Sequence, residues 1–168
     1  AEAAVSATSI TGYSGGGKKM IAEYEPEGGI ARDPRLDAPR PYALALQHKH
    51  LPEMQAHGRL ARKPVFLPVV GPFYKGMAVS VPLLGAQLAA GATAERLRET
   101  LAARYAGERF VRVASADETV AAAAQSFDPT ACNDTNRAEL FVFSGDDRIL
   151  LLCRLDNLGK GASGAAVQ

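Results

Sequence analysis

The residues best equipped for chemistry are two imidazoles two positions apart, His48 and His50, with Glu53 three residues further on. An imidazole titrates near neutrality, so it can take and return a proton during a reaction. Two histidines on one face of a strand could also hold zinc, with His57 or Glu53 as a third ligand, or be a hydrogen-bonded pair without chemistry. The pattern alone leaves all three open. The second group is Gly12-Tyr-Ser-Gly-Gly-Gly-Lys18, a glycine-rich loop running into a basic helix start. Backbone N–H groups and the helix dipole at such a place can hold phosphate. The string fits most of the nucleotide-binding Gly-x4-Gly-Lys pattern, but Lys19 stands where a serine or threonine should bind magnesium. Ile149 to Asp156 imitates the partner strand and acidic residue of such a site only loosely. A plain turn would use the same glycines.

Two further strings carry polar side chains in turn-forming company. In Cys132-Asn-Asp-Thr-Asn-Arg137, Asn, Asp and Thr suit a side-chain-stabilised turn, and Arg137 could clamp an anionic substrate. Nothing local marks Cys132 as an activated nucleophile, so it reads as a small residue in a turn. From Asp156 to Gln168 the residues at Gly161, Ala162, Gly164, Ala165 and Ala166 are small enough to let a helix approach a neighbour or a flat ligand closely. Asn157 offers an amide that both donates and accepts, as a carboxamide partner requires.

These groups need elements to hold them. Val5 to Ile10 is β-branched and bounded by glycine, which predicts a strand; Lys18 to Tyr24 reads as a short helix and Glu25 to Arg40 as an exposed loop. Tyr42, Leu44, Leu46, His48 and His50 alternate with smaller residues, so a strand over 42–50 would deliver both imidazoles on one face. Pro52 opens a short helix that Gly58 closes. Val65 to Val70 and Met77 to Leu84 are strands around a turn; the second is apolar on both faces, as a strand covered on both sides would be. Thr93 caps a helix with Leu97, Leu101 and Tyr105 on one face. Phe110 to Val113, Ala138 to Phe143 and Arg148 to Leu155 complete six or seven strands, while 114–131 shows no clear pattern. Few of these strands alternate with long helices, so the expected class is α+β, a mixed sheet with helices packed on it.

Taken together, Thr8 to Lys18, Leu46 to Met54, Arg104 to Phe110, Asn133 to Phe143 and Asp156 to Gln168 resemble, in order, strings of the N-acetyl-gamma-glutamyl-phosphate reductase family, in particular its shorter-chain type. The resemblance implies the second domain of a glyceraldehyde-3-phosphate dehydrogenase-like enzyme, the α+β domain that binds substrate and makes the dimer or tetramer, over 1–168. By that resemblance the NADP-binding Rossmann domain lies outside this chain. By the same resemblance the reaction is reversible reduction of an acyl phosphate to an aldehyde through a cysteine thioester, in arginine biosynthesis. His48 inherits the acid/base role, with Tyr42, His50 and Glu53 in support. Ser14, Gly15 and Gly16 border nicotinamide and phosphate, with Asn157 and Gly161 at the nicotinamide end. Neither Cys132 nor Cys153 sits in the family's cysteine motif, and no metal is implied. Arg137 as a substrate anchor is a positional inference.

The remaining features bound these expectations. Two cysteines are too few for a disulfide framework, a net charge of +1 gives no reason to expect nucleic acid or an anionic membrane, and no apolar run reaches the ~20 residues of a bilayer span. Cytoplasmic placement is the default, and both ends read as cut from a longer chain. The alternatives are a non-enzymatic oligomerisation or binding module, or a reductase of a related acyl phosphate such as the aminoadipyl or aspartyl analogue.

Overall fold

The computed structural model describes residues 4–167; Gln168, the last residue of the small-residue string, and Ala1, at the opening stretch, lie outside them. Seven strands form one mixed sheet among the described residues: β1 (Ser6–Gly12), β2 (Arg40–Pro41), β3 (Val65–Gly71), β4 (Met77–Leu84), β5 (Val111–Val113), β6 (Ala138–Ser144) and β7 (Arg148–Leu155). Their order across the sheet is β2-β3-β1-β4-β7-β6-β5. The β1–β3 and β5–β6 pairs are parallel and the others antiparallel. Five α-helices among the described residues complete the α+β fold: α1 (Gly17–Tyr24), α2 (Leu51–His57), α3 (Ala94–Tyr105), α4 (Ala116–Ala123) and α5 (Gly164–Val167).

Two departures from the sequence reading matter. The strand expected over 42–50 does not form: the two-residue β2 ends just before it, at Pro41, and 42–50 is a loop. Its alternation of large and small residues is genuine, but Ala43 (φ 53°) and Leu46 (φ 57°) take the left-handed conformation, which no strand residue can. The Leu46 N–H donates to the Ala43 carbonyl at 3.0 Å, closing a turn where a sheet ladder was expected. Conversely, the unpatterned stretch 114–131 holds α4. Ser115 caps it by accepting the Glu118 N–H at 3.1 Å, while the Glu118 carboxylate accepts the Ser115 N–H at 2.8 Å. This reciprocal Ser-x-x-Glu box supplies an N-terminal stop that an alanine run alone does not. At the far end, a π-helical turn over Gly159–Ser163 leads into α5, so part of the small-residue string is wound as π-helix.

Paired residues share a face of the sheet, and the two faces differ. One face carries Ala7, Phe66 and Val81, packed under Leu51 and Met54 of α2. It continues through Val79, Leu140, Leu151 and Cys153, which meet Leu101 and Tyr105 of α3. Beyond β3 a second cluster of Tyr13, Tyr24, Leu36 and Val70 forms, with the Tyr13 and Tyr24 rings stacked at 4.3 Å. On the opposite face, beyond β7, α4 and Phe127 give cover, the Phe127 ring meeting Phe141 edge-on at 5.1 Å. Across β3, β1 and β4 that face shows Val65, Leu67, Ile10, Pro82 and Leu84 to solvent.

The covered end of that second face is fastened by charge. Glu139, buried, accepts from Arg112 at 2.9 Å and from Arg154 at 2.7 Å, and the Arg154 guanidinium lies over the Phe127 and Phe141 rings. Burial pushes the Glu139 carboxyl up, but hydrogen bonds and charge from the two arginines more than reverse this and leave it below the ordinary carboxylate range. A depressed folded value means stability that is present above the unfolded carboxylate pKa and lost as pH falls through the folded one. Glu139→Gln is therefore expected to destabilise the fold by roughly 2–4 kcal/mol, somewhat under the cost of breaking a fully buried pair because Arg112 is half exposed. Urea unfolding at neutral pH measures it, and the gap to the parent should narrow in acid.

Candidate functional site

Three chain segments meet at the end of the sheet where β1, β3 and β7 finish. β1 runs directly into a 3-10 turn over Tyr13–Gly16 and then α1. That bend is held from outside: the N–H groups of Gly12, Tyr13 and Ser14 donate to the carbonyls of Gly76, Phe73 and Tyr74 at 2.9, 2.9 and 3.0 Å. The approach is close enough that a Cβ on Gly12 would lie 2.5 Å from the Tyr74 carbonyl oxygen, which is why this position is glycine. Beneath the loop, Tyr13 donates to Glu25, and burial together with that bond pushes its phenol up to about 12.

β7 delivers the second segment. Asp156 is buried, and its carboxylate accepts the N–H groups of Leu158 and Gly159 at 2.8 and 3.0 Å and that of Asp134 at 2.8 Å. Lys75 reaches both Asp134 and Asp156. One carboxylate thus orders the 156–159 turn and ties it to the 132–137 loop. Asn157, also buried, accepts the Gly76 N–H at 2.8 Å and donates to the Ser14 hydroxyl at 3.1 Å, so its amide is largely engaged inside the protein.

The third segment is the loop after β2, which carries His48. The His50 N–H donates to His48 Nδ1 at 3.2 Å. A backbone N–H can only donate, so the neutral ring carries its own hydrogen on Nε2, which stands 3.4 Å from the Tyr42 hydroxyl. The ring is hemmed in by His50 and Phe66, with centroids at 4.7 and 5.1 Å. Burial lowers the His48 pKa, and the nearby His50 and Lys49 lower it further, so the imidazole is neutral at pH 7. Burial also raises the Tyr42 phenol.

The segments enclose a cavity of about 530 Å³. Of the residues expected at the site, Ser14, Gly15, Gly16, Tyr42, His48, His50, Asn157 and Gly161 all line it. Glu53, exposed on the first turn of α2, and Arg137, exposed beside the Cys132 turn, do not. Ala162, one of the small residues read as able to meet a flat ligand, lines it too, and Thr11, Met20, Lys49, Met77 and Leu158 line it without having been anticipated. Lys49 was legible as the residue between the histidines; the others come together only through the fold. Cys132 is wholly buried, and burial followed by the neighbouring Glu139 carboxylate raises its thiol, the reverse of nucleophile activation. Among the described residues no group of three or more His, Cys, Asp or Glu side chains could hold a metal ion, and no helix is long and apolar enough to cross a membrane.

Residues 1–157 match the model of the semialdehyde dehydrogenase, dimerisation domain, family. The chain is 46% identical over 167 residues to an N-acetyl-gamma-glutamyl-phosphate reductase of Rhizobium meliloti (strain 1021), covering 98% of this chain and 52% of that one. It is 42% identical over 168 residues to a protein of the same name from Trichormus variabilis, with the same coverage. The chain therefore spans about half the length of the curated relatives it matches. Among solved structures, a probable aspartate-semialdehyde dehydrogenase from Pseudomonas aeruginosa superposes with a TM-score of 0.69 at 16% identity, over 97% of this chain and 52% of that one. At that identity the likeness is one of fold.

Proposed function

The chain belongs to the semialdehyde dehydrogenase dimerisation-domain family, and on that premise we propose that it is the substrate-binding and oligomerising half of an N-acetyl-gamma-glutamyl-phosphate reductase. The reaction is N-acetyl-gamma-glutamyl phosphate plus NADPH and a proton giving the semialdehyde, phosphate and NADP, a cytoplasmic step of arginine biosynthesis. The observation that carries the proposal is the gathering on one cavity of His48 and the Ser14–Gly16 loop with the Asn157–Gly161 turn, which lies more than a hundred residues further along the chain.

In this reading the nucleophilic cysteine and the Rossmann fold are supplied by the other half of the enzyme. Bound NADPH would supply the hydride. The small lining residues Gly15, Gly16, Gly161 and Ala162 would leave room for its flat ring. The chain's own residues hold and polarise the acyl group. Neutral His48, with Nδ1 occupied by the His50 N–H, presents Nε2–H as a proton donor to the oxygen on which negative charge develops when the acyl carbon becomes tetrahedral. Tyr42 steadies that edge of the ring. Lys49 places a positive charge at the same mouth, suited to an anionic phosphoryl group. A homodimer, or a tetramer built from dimers, would cover the open sheet face. Glu53 and Arg137 stand outside the cavity and are given no part in this step.

The test compares this chain alone with the same chain joined in one polypeptide to the cofactor-binding half of the Rhizobium meliloti relative. Alone it should oxidise no NADPH above background when given the acyl phosphate; joined, it should turn over. A folded chimera with no turnover would overturn the reading. Turnover by the isolated chain that Cys132→Ser abolishes would move the nucleophile here. Running the chimera with acetylglutamyl, aminoadipyl and aspartyl phosphates in competition ranks the substrates.

A further inference from the structure

We infer that Ser14 is a built-in hydrogen-bond donor to an anionic oxygen of the ligand, and that Asn157 is the positioning residue that forces it to donate. The inference rests on the acyl-phosphate reading above and assigns a part of that site's recognition to these two side chains. The argument begins at Gly76, whose backbone N–H points at Asn157 Oδ1 at 2.8 Å. An N–H has no acceptor capacity, so the amide cannot be turned over without leaving two donors face to face. The Asn157 orientation is therefore fixed, and its Nδ2 must be the group facing Ser14 Oγ at 3.1 Å. Ser14 is the acceptor in that bond, and its own hydrogen has to point elsewhere. Ser14 is 3% exposed, its N–H is committed to the Tyr74 carbonyl, and its own carbonyl accepts the Gly17 N–H. Among the described residues its hydroxyl finds no acceptor, although a buried donor left unmade is costly. The open direction is the cavity that Ser14 lines together with His48 and Lys49.

An acceptor entering that cavity would complete the bond, and an anionic oxygen would do so most strongly because charge roughly doubles a hydrogen bond's worth. Asn157 thereby acts without touching the ligand: it selects which of Ser14's two faces the cavity sees. Aspartate at 157 would reverse this. One carboxylate oxygen would still accept from Gly76, but the other would take Ser14's hydrogen and turn its lone pairs toward the anion.

Inorganic phosphate titrated into the chain, followed by calorimetry and by the His48 and His50 ring resonances, reads the effect. Ser14→Ala should weaken binding about tenfold or more, the usual loss when a hydrogen bond to a charged group is removed, and Ser14→Thr, which keeps the hydroxyl, should restore most of it. Asn157→Asp should weaken binding at least as much in the Ser14 parent, and distinctly less in the Ser14→Ala background, where only its added charge remains. Equal losses in the two backgrounds would overturn the positioning role. Phosphate bound equally by the parent and Ser14→Ala would overturn the inference while leaving the proposed function standing. A parent that shows no phosphate-dependent histidine shifts would overturn both.

Discussion

In the chimeric or full-length reductase, His48→Ala is expected to lower kcat by about 10²–10⁴-fold, the usual worth of a positioned acid or base, with little change in KM. The ring is held for its task from both sides. Its Nδ1 is occupied by the His50 N–H and its Nε2 faces the cavity edge beside Tyr42, so alanine removes the donor and leaves the surrounding loop intact. The bond to His48 comes from the His50 backbone, so His50→Ala retains it and should cost far less. The pH dependence separates the two. The His48 pKa lies below its ordinary value of 6.5, because burial and the adjacent His50 and Lys49 disfavour the imidazolium. A step that requires the neutral ring should therefore hold its rate down through pH 6.5 and decline only at lower pH, and His48→Ala should erase that decline. Steady-state rates from pH 5 to 8 measure this. A crippled His50→Ala with a mild His48→Ala would reverse the assignment.

The second large effect is on assembly. The chain of 17.7 kDa is expected to run at twice that mass or a higher even multiple. Ile10, 41% exposed in the interior strand β1, shares with Leu67 and Pro82 a sheet face that no described helix covers across β3, β1 and β4. Apolar patches of this kind are rare on monomers, and a stable interface needs about 1,000 Å² or more of good complementarity. Placing a charge in the middle of the patch should be decisive: Ile10→Arg with Leu67→Arg is expected to yield a monomer whose circular dichroism matches the parent, since neither side chain is in the core. Light scattering over a tenfold dilution decides it. A parent that stays monomeric throughout would show that the open face has another use.

Much of this was legible in the residues. Periodicity and turn chemistry gave β3, β4, β6, β7 and the Thr93-capped α3 nearly to the residue, because each is long enough for its burial pattern to repeat. The loop bearing His48 was misread because alternation reports which side chains are large and says nothing of φ; two left-handed residues, neither of them glycine, break it. α4 was passed over because its signal lies in the cap, Ser115 with Glu118, and its alanine-rich body lacks a strong apolar stripe. At the site, residue types named eight of the lining positions, but the partners of Asn157 could not be read. An amide that seemed free to meet a carboxamide is held by Gly76 and Ser14, segments that adjoin it only after the sheet has closed.

The strand order carries a consequence for how the molecule is made. β1 is an interior strand, yet its neighbours β3 and β4 begin more than fifty residues later, and β4 waits again for β7. The Ser14–Asn157 bond spans 143 residues. At ribosomal speeds of about 5–20 residues per second, the first strand emerges on the order of ten seconds before its cavity can exist. During that interval β1 and β3 can form a two-stranded parallel ribbon with an unpaired edge, the kind of surface that joins to other chains. Folding governed by such distant pairings is slow, so yield in the cell should depend on translation rate and chaperone supply more than on the final stability of the sheet.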